Sequence, residues 1–494
     1  MSKSLFARLR RRFQGPRSVE DRRRFLQATL ASTAGLLLSD RFAGVSHGQT
    51  VGAKRVVVIG AGFSGLACAH ELNAAGYKVT VVEARDRLGG RVLTFKDMIE
   101  KKWVEGGAEL IGENHPTWVR YAKQFDLNLI EMTDDDSLSY PVYLQGKLRS
   151  DEEVEKIYEE MEASFSSLNE LADTINADEP WKSPDAIALD KQNLGDWVKG
   201  LEVGELSRAA IDIQMSSDNA IENANASKLG MLTAIKGGGG QDYWDKSETH
   251  RCEGGNQSLA FRLAEMIGAD RIRLKLPVES VAIKEDRVIV TCADGRTIEA
   301  DDVVLAAPPS TWDRIKFSPE LPANIRTQMG VAWKYLVPLK DRFWLEQKKS
   351  QYSLSDTATV SQTWDGTDNQ PIPPPGALMV GFSGGAQARR GLAREGDAAH
   401  AAIQGDLAKV YPGIIEQING TPRFMTWPKD QWTKAAYSFP APGQVTAIGP
   451  TYYKGLGRLH FAGEHTCYKF VGYMEGGLNS GASLARRIAQ RDGL

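Results

Sequence analysis

Gly60, Gly62 and Gly65 form a G-x-G-x-x-G run that also holds Phe63 and Ser64, and an acid, Glu83, follows it. Residues of these types in this order suit one task, the binding of a dinucleotide. The first glycine permits a tight turn, the second lets backbone approach a pyrophosphate, and the third lets a helix pack closely on a strand. The later carboxylate can accept hydrogen bonds from both hydroxyls of a ribose, and it repels a 2′-phosphate. Directly downstream, Glu83-Ala84-Arg85-Asp86-Arg87-Leu88-Gly89-Gly90-Arg91 continues the acid into a basic loop with a glycine pair. Its arginines can neutralise a pyrophosphate, and its glycines can let a cofactor ring approach.

These residues need a strand–helix–strand frame. Residues 54–60 read KRVVVIG, a β-branched run of strand length. Residues 66–75 are rich in Ala, Leu and Glu and predict a helix, and residues 78–82 (KVTVV) predict a second strand ending at Glu83. The helix N-terminus then offers unpaired N–H groups and a positive dipole end to phosphates.

The chain of 494 residues is too long for one ordinary core, so two interleaved domains are expected. Its apolar content of 42% and charged content of 25% are those of a globular protein. A net charge of −3 gives no sign of nucleic acid as a partner. Cys68, Cys252, Cys292 and Cys467 show no CxxC spacing, and the histidines show no HxH or HxxxH pairing. Neither a disulfide scaffold nor a metal site is expected.

Residues 1–50 are read as lying outside the fold. Arg8, Arg10, Arg11 and Arg12 precede Asp21-Arg22-Arg23-Arg24-Phe25-Leu26-Gln27, and a mildly apolar run follows over 28–38. Paired arginines, Phe-Leu and a weak apolar stretch resemble a twin-arginine export signal. The run is about half of the ~20 residues that span a bilayer. The resemblance implies the twin-arginine export machinery as a partner, with a periplasmic or secreted location and cleavage near residues 43–50.

The run from Glu83 to Arg91 resembles the FAD loop of the flavin amine oxidase superfamily. Glu105-Gly106-Gly107-Ala108-Glu109 is similar to that family's glycine pair beside the flavin. Cys252-Glu253-Gly254-Gly255-Asn256 resembles its Gly-Gly turn before a helix. Val278 falls in a strand like the one whose backbone contacts adenine. Phe461-Ala462-Gly463-Glu464 is similar to the second FAD signature, with Glu464 toward the ribityl chain. Gly472-Tyr473-Met474-Glu475-Gly476 resembles the helix start that faces the flavin pyrimidine ring, where N–H groups near Met474 stabilise negative charge. The likeness covers nearly all of residues 54–490. It implies an α/β fold in which a discontinuous Rossmann-like FAD-binding domain (51–115, 246–312 and 455–494) carries an interleaved α+β substrate domain (116–245 and 313–454). Residues 151–173 predict an amphipathic helix in the latter, and Gly237 to Gly240 a hinge or close-packed turn.

The resemblance also places the chemistry. Residues 329–337 are similar to the strand bearing the family's flavin-facing lysine, and Lys334 is the match. Such a lysine can hold a water at the reaction centre, and burial can lower its pKa. Trp427, Tyr437 and Tyr473 match the family's aromatic positions, with Tyr437 and Tyr473 facing each other across the substrate amine. In monoamine oxidases a cysteine precedes the first tyrosine and bonds the flavin; here that residue is Ala436, which implies non-covalent FAD. The implied reaction is oxidation of a C–N bond by transfer of a hydride equivalent to flavin N5. Hydrolysis of the imine follows, with O2 or a periplasmic electron acceptor taking the electrons. L-Amino acid oxidases resemble the chain equally over the FAD halves. They need an arginine for the substrate carboxylate near Glu109-Leu110, where this chain has an acid that can instead attract a cation or serve as a structural partner. L-Amino acid oxidation is the alternative, followed by a desaturase or a non-catalytic flavoprotein. The sequence leaves a homodimer open.

Overall fold

The computed structural model describes residues 5–14, 54–133, 137–371 and 375–494. Its nucleotide-facing half is a five-stranded, wholly parallel sheet. The strands lie in the order Leu459–Phe461, Asp302–Leu305, Arg55–Ile59, Lys78–Val82 and Ile272–Arg273. Arg55–Ile59 thus lies between the next strand of its own βαβ unit and a strand distant in sequence, with Val57 beside Thr80 and Val303. Parallel strands are buried on both faces, which is why Val57, Val58, Val81, Val303 and Val304 form continuous apolar runs rather than alternating ones.

The helix Phe63–Ala74 packs against the last helix, Met474–Arg491, at backbone distance. A Cβ on Gly481 would fall 2.1 Å from the carbonyl oxygen of Ser64. That crossing needs glycine, and it fixes two helix N-termini side by side.

A second layer is a seven-stranded sheet in the order Arg423–Met425, Ala332–Leu339, Ala377–Gly384, Gln362–Asp365, Ser353–Ser355, Val142–Leu144 and Lys147–Leu148. The central strand Ala332–Leu339 is buried at every position. Helices cover this sheet, among them Glu205–Asp218, on which packs Asp151–Ala172, a helix that starts at a capping box between Ser150 and Glu153. The four glycines from Gly237 make a tight turn into the helix Gln241–Lys246, and Gly237 abuts Lys469.

Two expectations need correction. Residues 5–14 belong to the fold. They form the helix Leu5–Gln14, whose Phe6 and Leu9 are fully buried in one core with Tyr158, Phe165 and Trp244. The basic residues hid a helical stripe of Phe6, Leu9 and Phe13; Arg10 and Arg12 pair with Asp245 and Asp151 at 3.1 and 2.7 Å. The arginines Arg22 to Arg24 and the run 28–38 lie outside the described residues. The expected boundaries at 312/313 and 454/455 also cut through packed units. Lys316–Ser318 pairs with Val278–Ile283, and Ile448 and Tyr452 pack in the core of Val57 and Ile59.

Candidate functional site

The two helix N-termini open into one cleft that runs from the glycine turn at Gly60 and Gly62 to Lys334, Tyr437 and Tyr473, so a cofactor and a small substrate share one continuous site. Gly60, Gly62, Phe63 and Ser64 line one end. Gly60 has φ +111°, a left-handed conformation that favours glycine. Gly65 does not line the cleft; a Cβ there would fall 1.9 Å from the carbonyl oxygen of Gly60, so it serves the strand–helix contact.

Glu83 sits at the end of its strand with each oxygen holding one backbone N–H, from Ala61 at 2.7 Å and from Arg85 at 2.8 Å. A carboxylate has about four acceptor positions, so two remain for hydroxyls. Ala84 and Val278 line the same end. Gly89 and Gly90 lie against the first glycine turn, with the amide of Gly89 donating to the Ala61 carbonyl at 2.9 Å.

The arginines are less free than their sequence implies. Arg85 forms a two-pronged pair with Asp430 at 2.9 and 2.5 Å and donates to Thr433. Arg91 donates to Glu464 at 3.0 Å and to the Ala436 carbonyl at 2.8 Å. Arg87 turns back onto carbonyls of its own loop. Glu464 lines the cleft, but protein donors occupy its carboxylate: Arg91, the Ser438 amide and hydroxyl, and the Gly472 amide. Burial pushes this carboxyl up, yet Arg91 and its other partners outweigh burial and hold it below the usual range. The side chain therefore clamps three loops together. Gly463 is off the cleft, its amide donating to Ser480.

Gly107 and Ala108 line the middle of the cleft. A Cβ on Gly107 would lie 1.9 Å from the Arg91 carbonyl, so the two loops touch through backbone. Gly106 lies off the lining, and its carbonyl accepts from the indole of Trp427 at 2.9 Å, orienting a ring that does line the cleft.

Gly472, Tyr473 and Met474 face the cleft where the helix Met474–Arg491 begins, with Tyr473 as its N-cap. Neither this terminus nor that at Phe63 carries a side-chain cap. Unmatched N–H groups at two helix starts in one cleft fit an anionic pyrophosphate at one and an electron-rich ring at the other. The donors present fit FAD.

At the substrate end, Lys334, Tyr437 and Tyr473 line the same wall. The ammonium of Lys334 lies 2.5 Å from Glu109 and 3.2 Å from the Glu105 carbonyl. Glu109 also accepts from Arg251 at 2.8 Å. Burial pushes the Glu109 carboxyl up, but Lys334 and Arg251 outweigh it and hold it below the usual range. The acid is thus a partner of two buried cations, the structural one of its two expected roles. Tyr437 donates to the carbonyl of Asp218 at 2.9 Å, and its ring lies against Gly472. Tyr473 packs edge-on against His115 and Tyr243. Burial, first of all, pushes both tyrosine hydroxyls well above their ordinary range, so they stay neutral donors.

Sequence reasoning missed Glu248 and Phe382, which line the cleft, and Asp218 behind Tyr437. None sits in a motif. Glu248 precedes the glycine turn at Gly254 by one short strand, His250–Cys252, and only the fold turns it inward. Among the described residues no group of His, Cys, Asp and Glu is arranged for a metal, and the four cysteines are free and buried.

A glycine-turn βαβ unit, two uncapped helix ends and a lysine–tyrosine wall in one cleft define a flavin-dependent oxidoreductase. The chain belongs to the flavin containing amine oxidoreductase family, which it matches over residues 63–489. Its cofactor is FAD, and its chemistry is flavin-dependent amine oxidation. It is 26% identical over 465 residues to the probable flavin-containing monoamine oxidase A of Dictyostelium discoideum, covering 88% of this chain and 97% of that one. It is 28% identical to the flavin-containing amine oxidase A of Sus scrofa, covering 88% and 84%. Among solved structures, cyclohexylamine oxidase from Brevibacterium oxydans superposes with a TM-score of 0.79 at 26% identity, covering 90% of this chain and all of that one. Putrescine oxidase bound to putrescine shares the fold, with a TM-score of 0.79 at 24% identity and coverage of 89% and 99%.

Proposed function

We propose that this protein oxidises an amine without an α-carboxylate, using non-covalently held FAD, and passes the electrons to O2. The observation that carries the reading is the Lys334–Glu109 pair in the cleft wall, with Arg251 behind it bound to Glu109. An amino acid oxidase needs a guanidinium free to grip a carboxylate. Arg251 is 3% exposed in its side chain and is spent on Glu109 and on the carbonyls of Asp365 and Asp368. Ala436 supplies no thiol, which supports a flavin held without a covalent bond.

FAD supplies the two-electron acceptor. The protein orients the rest. Tyr437 and Tyr473 offer aromatic walls that receive the amine and exclude water. Lys334, anchored by Glu109, is positioned to hold a water for imine hydrolysis or for the oxygen reaction. The start of the helix Met474–Arg491 favours negative charge beside it. The test is stoichiometry: each amine consumed yields one carbonyl product and one hydrogen peroxide. Amine consumption without peroxide under air points to another acceptor and removes O2 from the reading.

Export by the twin-arginine route is part of the same proposal. Arg22-Arg23-Arg24-Phe25-Leu26 and the apolar run over 28–38 support it, and that route carries folded, cofactor-loaded proteins. The helix Leu5–Gln14 joins the core, so cleavage near residues 43–50 would remove a packed element; retention of the leader fits the fold better. Replacing Arg22, Arg23 and Arg24 by lysine should hold the protein in the cytoplasm, and unchanged fractionation overturns the export reading.

A further inference from the structure

We propose that the helix Leu5–Gln14 is a positioning element of the active site, seated behind the wall that carries Tyr437 and Tyr473 and holding the two rings at the spacing the reaction needs. The inference rests on the amine oxidase reading. It concerns a segment that precedes the family match, which begins at residue 63, so likeness assigns this helix no role.

Two routes run from the helix to the tyrosines. The first passes through the helix Glu205–Asp218. The backbone N–H of Phe6 lies in the first turn, where a helix offers no internal acceptor, and it donates to the buried side-chain oxygen of Gln214 at 3.2 Å. Gln214 and Asp218 are four residues apart on one face of Glu205–Asp218. At the end of that helix the Asp218 carbonyl accepts the Tyr437 hydroxyl at 2.9 Å. One helix thus receives Phe6 on one turn and holds a cage tyrosine on the next.

The second route passes through the helix Gln241–Lys246. Trp244 is edge-on to Phe6 at 6.1 Å and stacked on Phe165 at 4.2 Å. Its neighbour Tyr243 is edge-on to Trp244 at 4.9 Å and to the ring of Tyr473 at 6.5 Å. Arg10 pairs with Asp245 of the same short helix at 3.1 Å. Tyr243 and Tyr437 both pack against the core that contains Phe6.

Interiors are close-packed, so removing a ring from behind a wall lets the wall move. A cage of two rings works by spacing, and misplacement of a reacting group by about 1 Å costs on the order of a hundredfold in rate. No residue of Leu5–Gln14 lines the cleft, so its effect on the reaction passes through Tyr437 and Tyr473 and leaves the cofactor end alone. A chain cut near residues 43–50 would lose this support with its leader.

The test compares the FAD-loaded wild type with Phe6→Ala, Phe6→Leu and Ile403→Ala. Ile403 is also fully buried, but in a separate core beneath the helix Gly396–Val410 that contains neither cage tyrosine. Anaerobic reduction of the flavin at saturating amine should slow by at least about tenfold in Phe6→Ala. It should recover most of its rate in Phe6→Leu and stay at the wild-type rate in Ile403→Ala. Reduction by dithionite, which bypasses the cage, should be the same in all four proteins. Equal slowing by amine in Phe6→Ala and Ile403→Ala, or slowing in neither, overturns the proposal. Gln214→Met removes the acceptor of the Phe6 N–H at nearly constant volume and keeps the test open if Phe6→Ala holds no FAD. A wild-type rate in Gln214→Met is equally fatal to it. If no amine reduces the wild-type flavin, the amine oxidase reading itself fails, a result distinct from equal reduction of wild type and variant.

Discussion

The ammonium of Lys334 lies 2.5 Å from the carboxylate of Glu109, and the two side chains are 7% and 0% exposed. Arg251 reaches the other oxygen of Glu109 at 2.8 Å. The lysine is thus anchored, and one acid serves two cations. The variants should rank accordingly. Glu109→Gln leaves two buried cations without an anion and should cost about 3–5 kcal/mol, as breaking buried pairs does. Lys334→Met leaves Glu109 still paired with Arg251 and should cost about 1–3 kcal/mol. Urea denaturation of the FAD-loaded proteins measures both, and the reverse order would refute this account of the cluster.

Gly65 should tolerate no side chain. A Cβ there would sit 1.9 Å from the Gly60 carbonyl and 3.2 Å from Val58. Gly65→Ala must push the phosphate-facing helix off its strand, at about 1–3 kcal/mol of overpacking. It should also lose FAD on gel filtration. Gly405→Ala is the control, since nothing lies within 4 Å of a Cβ there. Equal flavin retention in the two variants contradicts the close-packing role.

The N-terminal helix should be part of the stable protein. Phe6 is fully buried, edge-on to Phe165 and Trp244 at 5.0 and 6.1 Å. Truncating a buried phenylalanine costs about 3–5 kcal/mol if the helix stays in place. Phe6→Asp should instead undock it and expose the helix Asp151–Ala172 to limited proteolysis. A digestion pattern identical to wild type would show that the helix is not docked.

The nucleotide half was largely legible because its chemistry is local. Gly60, Gly62, Gly65 and Glu83 act within one βαβ unit, and their order states the turn, the close approach and the acid. Lys334, Tyr437 and Glu109 were found through likeness, but the pairing of Glu109 with Lys334 and Arg251 was not. The Lys334–Glu109–Arg251 cluster joins residues far apart in the chain, and no local pattern encodes such a meeting. Glu248 and Asp218 escaped for the same reason. The helix Leu5–Gln14 was missed because its arginines drew attention away from the stripe of Phe6, Leu9 and Phe13. Arg85 and Arg91 looked like free phosphate ligands in sequence; Asp430 and Glu464, which hold them, come from distant loops.

The central claim is that this cleft oxidises amines rather than amino acids, and anaerobic reduction of the bound flavin tests it most directly. The FAD-loaded protein is mixed without oxygen with alkylamines and diamines, then with L-amino acids, and the flavin absorbance is followed. Bleaching by amines with none by L-amino acids is the predicted result. Bleaching by L-amino acids alone would contradict the account and would mean that a carboxylate finds a cation in the cleft despite the Glu109 cluster.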